Sequence, residues 1–154
     1  MTSRHPLQRE LGQTLMLVTR DFQQRLDRDL QRRGVAGIGA RHRSVFLFLA
    51  RNGASRAVDL ATAAGIRPQS MMKIVHELEA MGLVYRYQDP QDSRAKLIDF
   101  SNEGTAFIEE LSRSTETVWK QYERILGTRV TAETFTNLSR ILAAGEPQGD
   151  ETHH

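Results

Sequence analysis

IRPQSMMKIVHELEAMGLVYRYQDPQDSR, residues Ile66 to Arg94, decides the fold. Pro68 stands at the start of a helical pattern, where a missing N–H costs nothing. Met71, Ile74, Val75 and Leu78 recur at helical spacing and make one apolar face. Gly82 follows as the expected C-cap, because glycine takes the left-handed conformation without a Cβ penalty. Leu83-Val84-Tyr85-Arg86-Tyr87 is a β-rich run, Asp89-Pro90-Gln91-Asp92 a turn, and Ala95 to Phe100 a second short strand. A helix followed by a hairpin with a basic residue at its tip is the layout of a winged helix.

The outward face of that helix carries the functional signal. Arg67, Gln69, Ser70, Met72, Lys73 and His76 lie off the apolar stripe, mostly in the first two turns. Those turns are what a recognition helix presents to base edges in the major groove. Gln can bond adenine in a bidentate way, Arg and Lys can bond guanine, and a Met tip can touch a thymine methyl. No acidic side chain occurs from Arg67 to His76, as a surface facing polyphosphate requires. An ordinary solvated helix face is the alternative, and the adjoining hairpin weighs against it.

With its flanks, the stretch resembles the MarR family of bacterial winged-helix transcription regulators. Asp59-Leu60-Ala61 and Ala64-Gly65-Ile66 precede the helix, which runs out through Leu78-Glu79-Ala80-Met81-Gly82-Leu83-Val84. Asp89-Pro90-Gln91-Asp92-Ser93-Arg94 is similar to that family's wing signature of spaced aspartates followed by arginine. Ser101-Asn102-Glu103-Gly104 sits where the family restarts a long helix. The resemblance implies a homodimer on a pseudo-palindromic operator, usually repressing transcription. It also implies a small aromatic ligand in a cleft between the helical and DNA-binding parts.

Arg94 at the hairpin tip is placed to enter the minor groove, where negative potential draws guanidinium groups. Asp92 would hold it, as the family's wing aspartate does. Arg86 and Lys96 flank the wing as phosphate contacts, and Ser55 and Arg56 are further candidates on the preceding helix.

Charge is divided along the chain. Residues 1–33 carry seven Arg against four acids, and residues 34–100 nine Lys or Arg against six, so each part is +3. Residues 101–154 carry five against nine and are −4. Polyphosphate attracts the first two parts and repels the third. Eighteen of the 21 basic residues are Arg, which suits bidentate phosphate and guanine contacts. There is no cysteine, which excludes disulfides, thiolate zinc sites and cysteine redox switching in this chain. No apolar run is long enough to span a membrane and the N-terminus has no signal-peptide core, so a cytoplasmic protein is expected.

Outside the winged helix the pattern is helical. Leu7, Leu11, Leu15, Val18, Phe22, Leu26 and Leu30 step by three or four and predict one long helix ending before Gly34. Its stripe exceeds what a small winged helix needs, so a partner surface is expected. Arg41 to Arg51 is apolar on nearly all sides and should be buried. Ser55 is the expected N-cap of the next short helix, with Val58, Leu60 and Ala61 turned inward. Ser101 and Thr131 are the expected caps of two final helices, the first ended by Gly127 and the second by Gly145-Glu146-Pro147.

The fold expected is mainly α with a small β-hairpin wing. It comprises an N-terminal dimerisation helix (1–34), a winged helix-turn-helix (35–100), C-terminal dimerisation helices (101–146) and a polar tail (147–154). No enzyme is expected: phosphate-cradling loops, nucleophile elbows and paired histidines at ligand spacing are absent from the sequence, and no cofactor or metal is called for. Double-stranded DNA and a second copy of the chain are the expected partners. Arg41, His42, Arg43 and Trp119 are candidate contacts for a small aromatic ligand. The competing function is a winged helix used as a protein-interaction module, its basic face serving an acidic partner. Salt discriminates the two, since counterion release makes DNA binding weaken steeply as salt rises.

Overall fold

The computed structural model describes residues 6–145. His5, the stop at Glu146-Pro147 and the tail 147–154 lie outside the described residues. Within them run α1 (Leu11–Arg32), α2 (Ala40–Asn52), α3 (Ala57–Ala64), α4 (Pro68–Ala80), β1 (Val84–Asp89), β2 (Asp92–Phe100), α5 (Asn102–Leu126) and α6 (Thr128–Ala143). This is the mainly helical winged helix-turn-helix that the sequence predicts. Residues up to Thr115 form one compact unit and those from Glu116 a second, the boundary falling inside α5. Among the described residues no helix is long and apolar enough to cross a membrane.

The first unit closes around α4. Met71, Ile74, Val75 and Leu78 are all buried, as their spacing predicts. Phe46 of α2 is fully buried, stacks on Phe100 of β2 at 5.4 Å and meets Phe107 of α5 edge-on at 4.7 Å. One ring therefore joins the helix-turn-helix, the wing and α5. The end of α4 is fixed by a double bond pattern. Gly82, at φ 73°, donates its N–H to the Glu79 carbonyl, and Leu83 donates to Leu78, each at 3.0 Å.

The wing is an antiparallel hairpin pairing Val84 with Phe100 through Gln88 with Lys96, and then Asp89 with Asp92. The shift between Gln88 and Asp89 leaves Ser93, Arg94 and Ala95 as extra length on β2. The second strand thus begins at Asp92 rather than Ala95. Ser55 adds a third rung: its N–H donates to the Ile98 carbonyl at 3.1 Å and its own carbonyl accepts the Ile98 N–H at 2.9 Å.

Several local expectations are corrected. The N-terminal stripe is not one helix from Leu7, because Pro6–Arg9 is a 3-10 turn and α1 starts at Leu11. Arg56, not Ser55, occupies the N-cap of α3, because Ser55 is committed to the sheet rung. Val58 faces out at 52% exposed, while Leu60 and Ala61 are buried. The helix α2 is two-faced: Val45, Phe46 and Leu49 are buried, but Leu47 is 62% exposed, on an open cleft of about 520 Å³ between α2 and α3.

Ser101 does cap α5, its hydroxyl accepting the Gly104 N–H at 3.0 Å. In the second unit Thr131 is not a cap. Gly127, at φ 86°, takes the N-cap position, α6 starts at Thr128, and the buried Thr131 hydroxyl donates back to the Gly127 carbonyl at 2.9 Å. Phe135 of α6 lies against Trp119 and Tyr122 of α5, at centroid distances of 5.2 and 5.9 Å.

Candidate nucleic-acid interface

The helix α4 buries one side and presents the other. Gln69, Ser70, Lys73 and His76 are exposed and Met72 half-buried, along an open face with Pro68, Glu77 and Ala80. Arg67 is exposed at the N-cap. No acid lies in the first turn, so the unsatisfied N–H groups and positive dipole end of a 13-residue helix point outward uncompensated. Among the described residues Arg67, Lys73 and Lys96 have no ion-pair partner. Their charge is available to a phosphate.

Arg94 stands in solvent, with its side chain 92% exposed. Asp92 orients it from below: its Oδ1 accepts the Arg94 backbone N–H at 3.1 Å and lies 3.6 Å from the guanidinium Nε. The backbone is pinned while the guanidinium stays in solvent.

Other candidates are turned inward. Arg56 gives Nε and Nη2 to Asp89 Oδ2 at 3.0 and 2.5 Å, and its Nη1 lies 3.8 Å from Asp92. It therefore latches the start of α3 to the wing. Arg86 gives Nε and Nη2 to Glu79 at 2.8 and 3.2 Å and ties β1 to α4. Ser55 is buried, with its hydroxyl donated to the Gly53 carbonyl at 2.8 Å. These three residues seat the wing. The sequence marked Asp89 only as part of the wing signature and did not single out Glu79. Asp89 sits in the quoted turn, but nothing in sequence shows which basic residue, 33 positions away, will meet it.

The ligand candidates fall in both units. Arg41 contacts Glu77 at 2.8 Å, and His42 and Arg43 are buried in bonds within the first unit. Trp119 belongs to the second unit, where its Nε1–H donates to Glu123 at 3.0 Å. Among the described residues no group of three or more His, Cys, Asp or Glu is placed to hold a metal.

The pairs that hold the wing are sensitive to acid. Asp89 is held below its ordinary value by the Gln91 backbone N–H and then by Arg56. Glu79 is lowered by its hydrogen bonds from Arg86. A carboxylate lowered in the fold contributes stability that is fully present above its unfolded value, near 4, and lost as pH falls through the folded one. The melting temperature is therefore expected to fall as pH drops below about 4, and less steeply in Asp89→Asn. A pH series of circular-dichroism melts checks this. An equally steep acid limb in that variant would remove the latch from the account.

The fold is that of a winged-helix protein. Residues 36–95, less than half of the chain, match the model of the MarR family. The transcriptional regulator FarR of Neisseria gonorrhoeae is 31% identical over 83 residues, which cover 54% of this chain and 57% of FarR. The chain thus matches little more than half the length of that relative. Apo MarR from E. coli superposes with a TM-score of 0.73 at 19% identity, over 86% of this chain and 96% of that one. A mutant of MepR from S. aureus, bound to an oligodeoxyribonucleotide, gives 0.56 at 18%, over 87% and 96%. At such identities the two structures establish the fold alone.

Proposed function

We propose that the chain is a sequence-specific DNA-binding transcription regulator, a cytoplasmic homodimer acting as a repressor on a pseudo-palindromic operator. The observation that carries this is the acid-free stretch of α4 from Pro68 to His76 beside a wing arginine whose side chain is 92% exposed and whose backbone N–H is held by Asp92. In this reading Gln69, Ser70, Met72 and Lys73 read bases, with His76 at the edge of the same face. Arg94 enters the minor groove, and Arg67 and Lys96 bind phosphate. Arg56, Arg86, Asp92 and Ser55 hold the wing in register. FarR is a transcriptional regulator, and the MepR structure holds DNA; both support the reading by likeness.

The homodimer is supported by apolar surface that a monomer leaves in water. Leu11, Leu15, Met16, Leu17 and Val18 of α1 are 48% to 73% exposed. On α6, Ile141 and Leu142 are 68% and 82% exposed. Exposed apolar side chains clustered on one helix in this way favour an interaction site. Leu15→Glu with Val18→Glu is expected to give a monomer in sedimentation equilibrium and to lose operator binding. A dimer of unchanged stability would exclude α1 from the interface. The effector would be a small aromatic compound, as the MarR likeness suggests. The cleft between α2 and α3, about 520 Å³ and lined by Leu47, Phe48, Ala63 and Ala64, is large enough for one.

The test is fluorescence anisotropy on the DNA upstream of its own gene and on scrambled DNA of equal length, at two salt concentrations. Selective, salt-sensitive binding is expected. No binding to either DNA at low salt would leave the protein-interaction module as the function.

A further inference from the structure

The first turn of α2 faces two ways. His42 sits between the Gly39 N–H, which donates to its Nδ1 at 3.1 Å, and Glu77 of α4, whose Oε2 lies 2.7 Å from its Nε2. An amide N–H can only donate, so Nδ1 accepts, and the ring proton is on Nε2, aimed at Glu77. Arg41 reaches the same Glu77 oxygen at 2.8 Å. The next residue, Arg43, turns the other way. Its guanidinium donates to Gln23 and, at 2.6 Å, to Asp27, both on α1, and to the Ile38 carbonyl at 3.0 Å. His42 and Arg43 are both buried, and the Arg43 Nε has no partner among the described residues. The Nη1 and Nη2 bonds to Asp27, Gln23 and the Ile38 carbonyl hold the buried guanidinium against α1.

We propose that Arg41-His42-Arg43 is a strut that fixes the recognition helix relative to α1, making His42, Arg43, Glu77 and Asp27 positioning residues for operator binding although none of them reads a base. Adjacent residues grip α4 through Glu77 and α1 through Asp27 and Gln23. If α1 carries the dimer interface, this turn sets how each recognition helix is held with respect to that interface, and so which half-site spacing the dimer accepts. The proposal rests on the DNA-binding and dimer readings above.

Charge and strut predict opposite signs at Glu77. Removing a carboxylate from the DNA-facing helix strengthens binding to any duplex if charge alone matters. The strut predicts weaker operator binding. The probe is a duplex that the wild-type protein enriches from a random-sequence pool, and a copy with one base pair inserted at its centre. Glu77→Ala is expected to lose about fivefold to thirtyfold in affinity for the enriched duplex and to discriminate less against the insertion, while scrambled DNA is bound as well or better. Glu77→Gln loses the same charge but keeps an acceptor for the His42 Nε2–H, and should restore most of the affinity and the spacing preference. Asp27→Ala, on the other arm, should reproduce the loss of spacing preference.

Equal behaviour of the Ala and Gln variants, or an unchanged spacing preference in Glu77→Ala and Asp27→Ala, would overturn the strut and leave the regulator standing. Failure of the wild-type protein to enrich any sequence would overturn the regulator reading and the strut with it.

Discussion

Gly104→Ala is expected to destabilise the protein by about 3 kcal/mol or more, although the same change in an open helix stabilises. Gly104 lies in the first turn of α5, where alanine would gain about 1 kcal/mol in helix propensity. Its surroundings reverse the sign. A Cβ there would stand 1.9 Å from the Leu83 carbonyl oxygen and 3.3 Å from the Phe100 ring. The obstacle is backbone, and that carbonyl already accepts the Ser101 N–H at 3.1 Å. The Ser101 hydroxyl, bonded to the Gly82 carbonyl and to the Gly104 N–H, closes the same knot. Relief requires pulling α5 away from the end of α4 and the root of the wing. For a chain of this size the melting temperature should fall by roughly 6 to 12 °C. A thermal melt equal to or above that of the wild type would show that α5 does not dock through this contact.

Arg94→Ala is expected to lose about tenfold to a hundredfold in operator affinity with no loss of thermal stability. The two halves follow from the same geometry. The side chain is almost wholly in solvent, and its ion pair with Asp92, at 3.6 Å, is too loose and exposed to stabilise the fold. Asp92 holds the backbone N–H of residue 94 whatever its side chain, so the wing keeps its shape in the variant. The binding loss is then that of the guanidinium alone. Arg94→Lys should fall between the two, since a compact ammonium matches the narrow groove less well. Unchanged affinity in Arg94→Ala would remove the wing tip from the mechanism.

The elements with local signals were legible in the sequence. Pro68, the stripe from Met71 to Leu78, and Gly82 bounded α4, because proline, apolar period and glycine act within a few residues of themselves. Ser101 was legible as a cap for the same reason. Thr131 misled because a threonine three residues into a helix looks like a threonine ahead of one. What decides is Gly127, whose positive φ lets α6 start at once. The surface of α2 misled because an apolar residue such as Leu47 does not report whether anything covers it. Within the candidate interface, residue type separated the polar, acid-free positions before Glu77 from the core. It could not separate the free cations from those already paired. Arg56, Arg67, Arg86 and Arg94 look alike in sequence, yet Asp89 and Glu79 occupy two of them. Those pairings, like His42 with Glu77, join positions that only the fold brings together.

In the proposed mechanism α4 reads bases from the major groove while Arg94 enters the minor groove beside it. Chemical footprinting of the wild-type protein, on a duplex enriched from a random pool, tests this most directly. Two symmetric half-sites are expected, with guanine N7 protected from methylation in the major groove and minor-groove protection flanking each. Centre-to-centre spacing should be close to one helical turn, about 10 base pairs, or a multiple of it. In Arg94→Ala the flanking minor-groove protection should vanish while the major-groove protection stays. Uniform protection without half-sites, or minor-groove protection that survives the loss of Arg94, would contradict it.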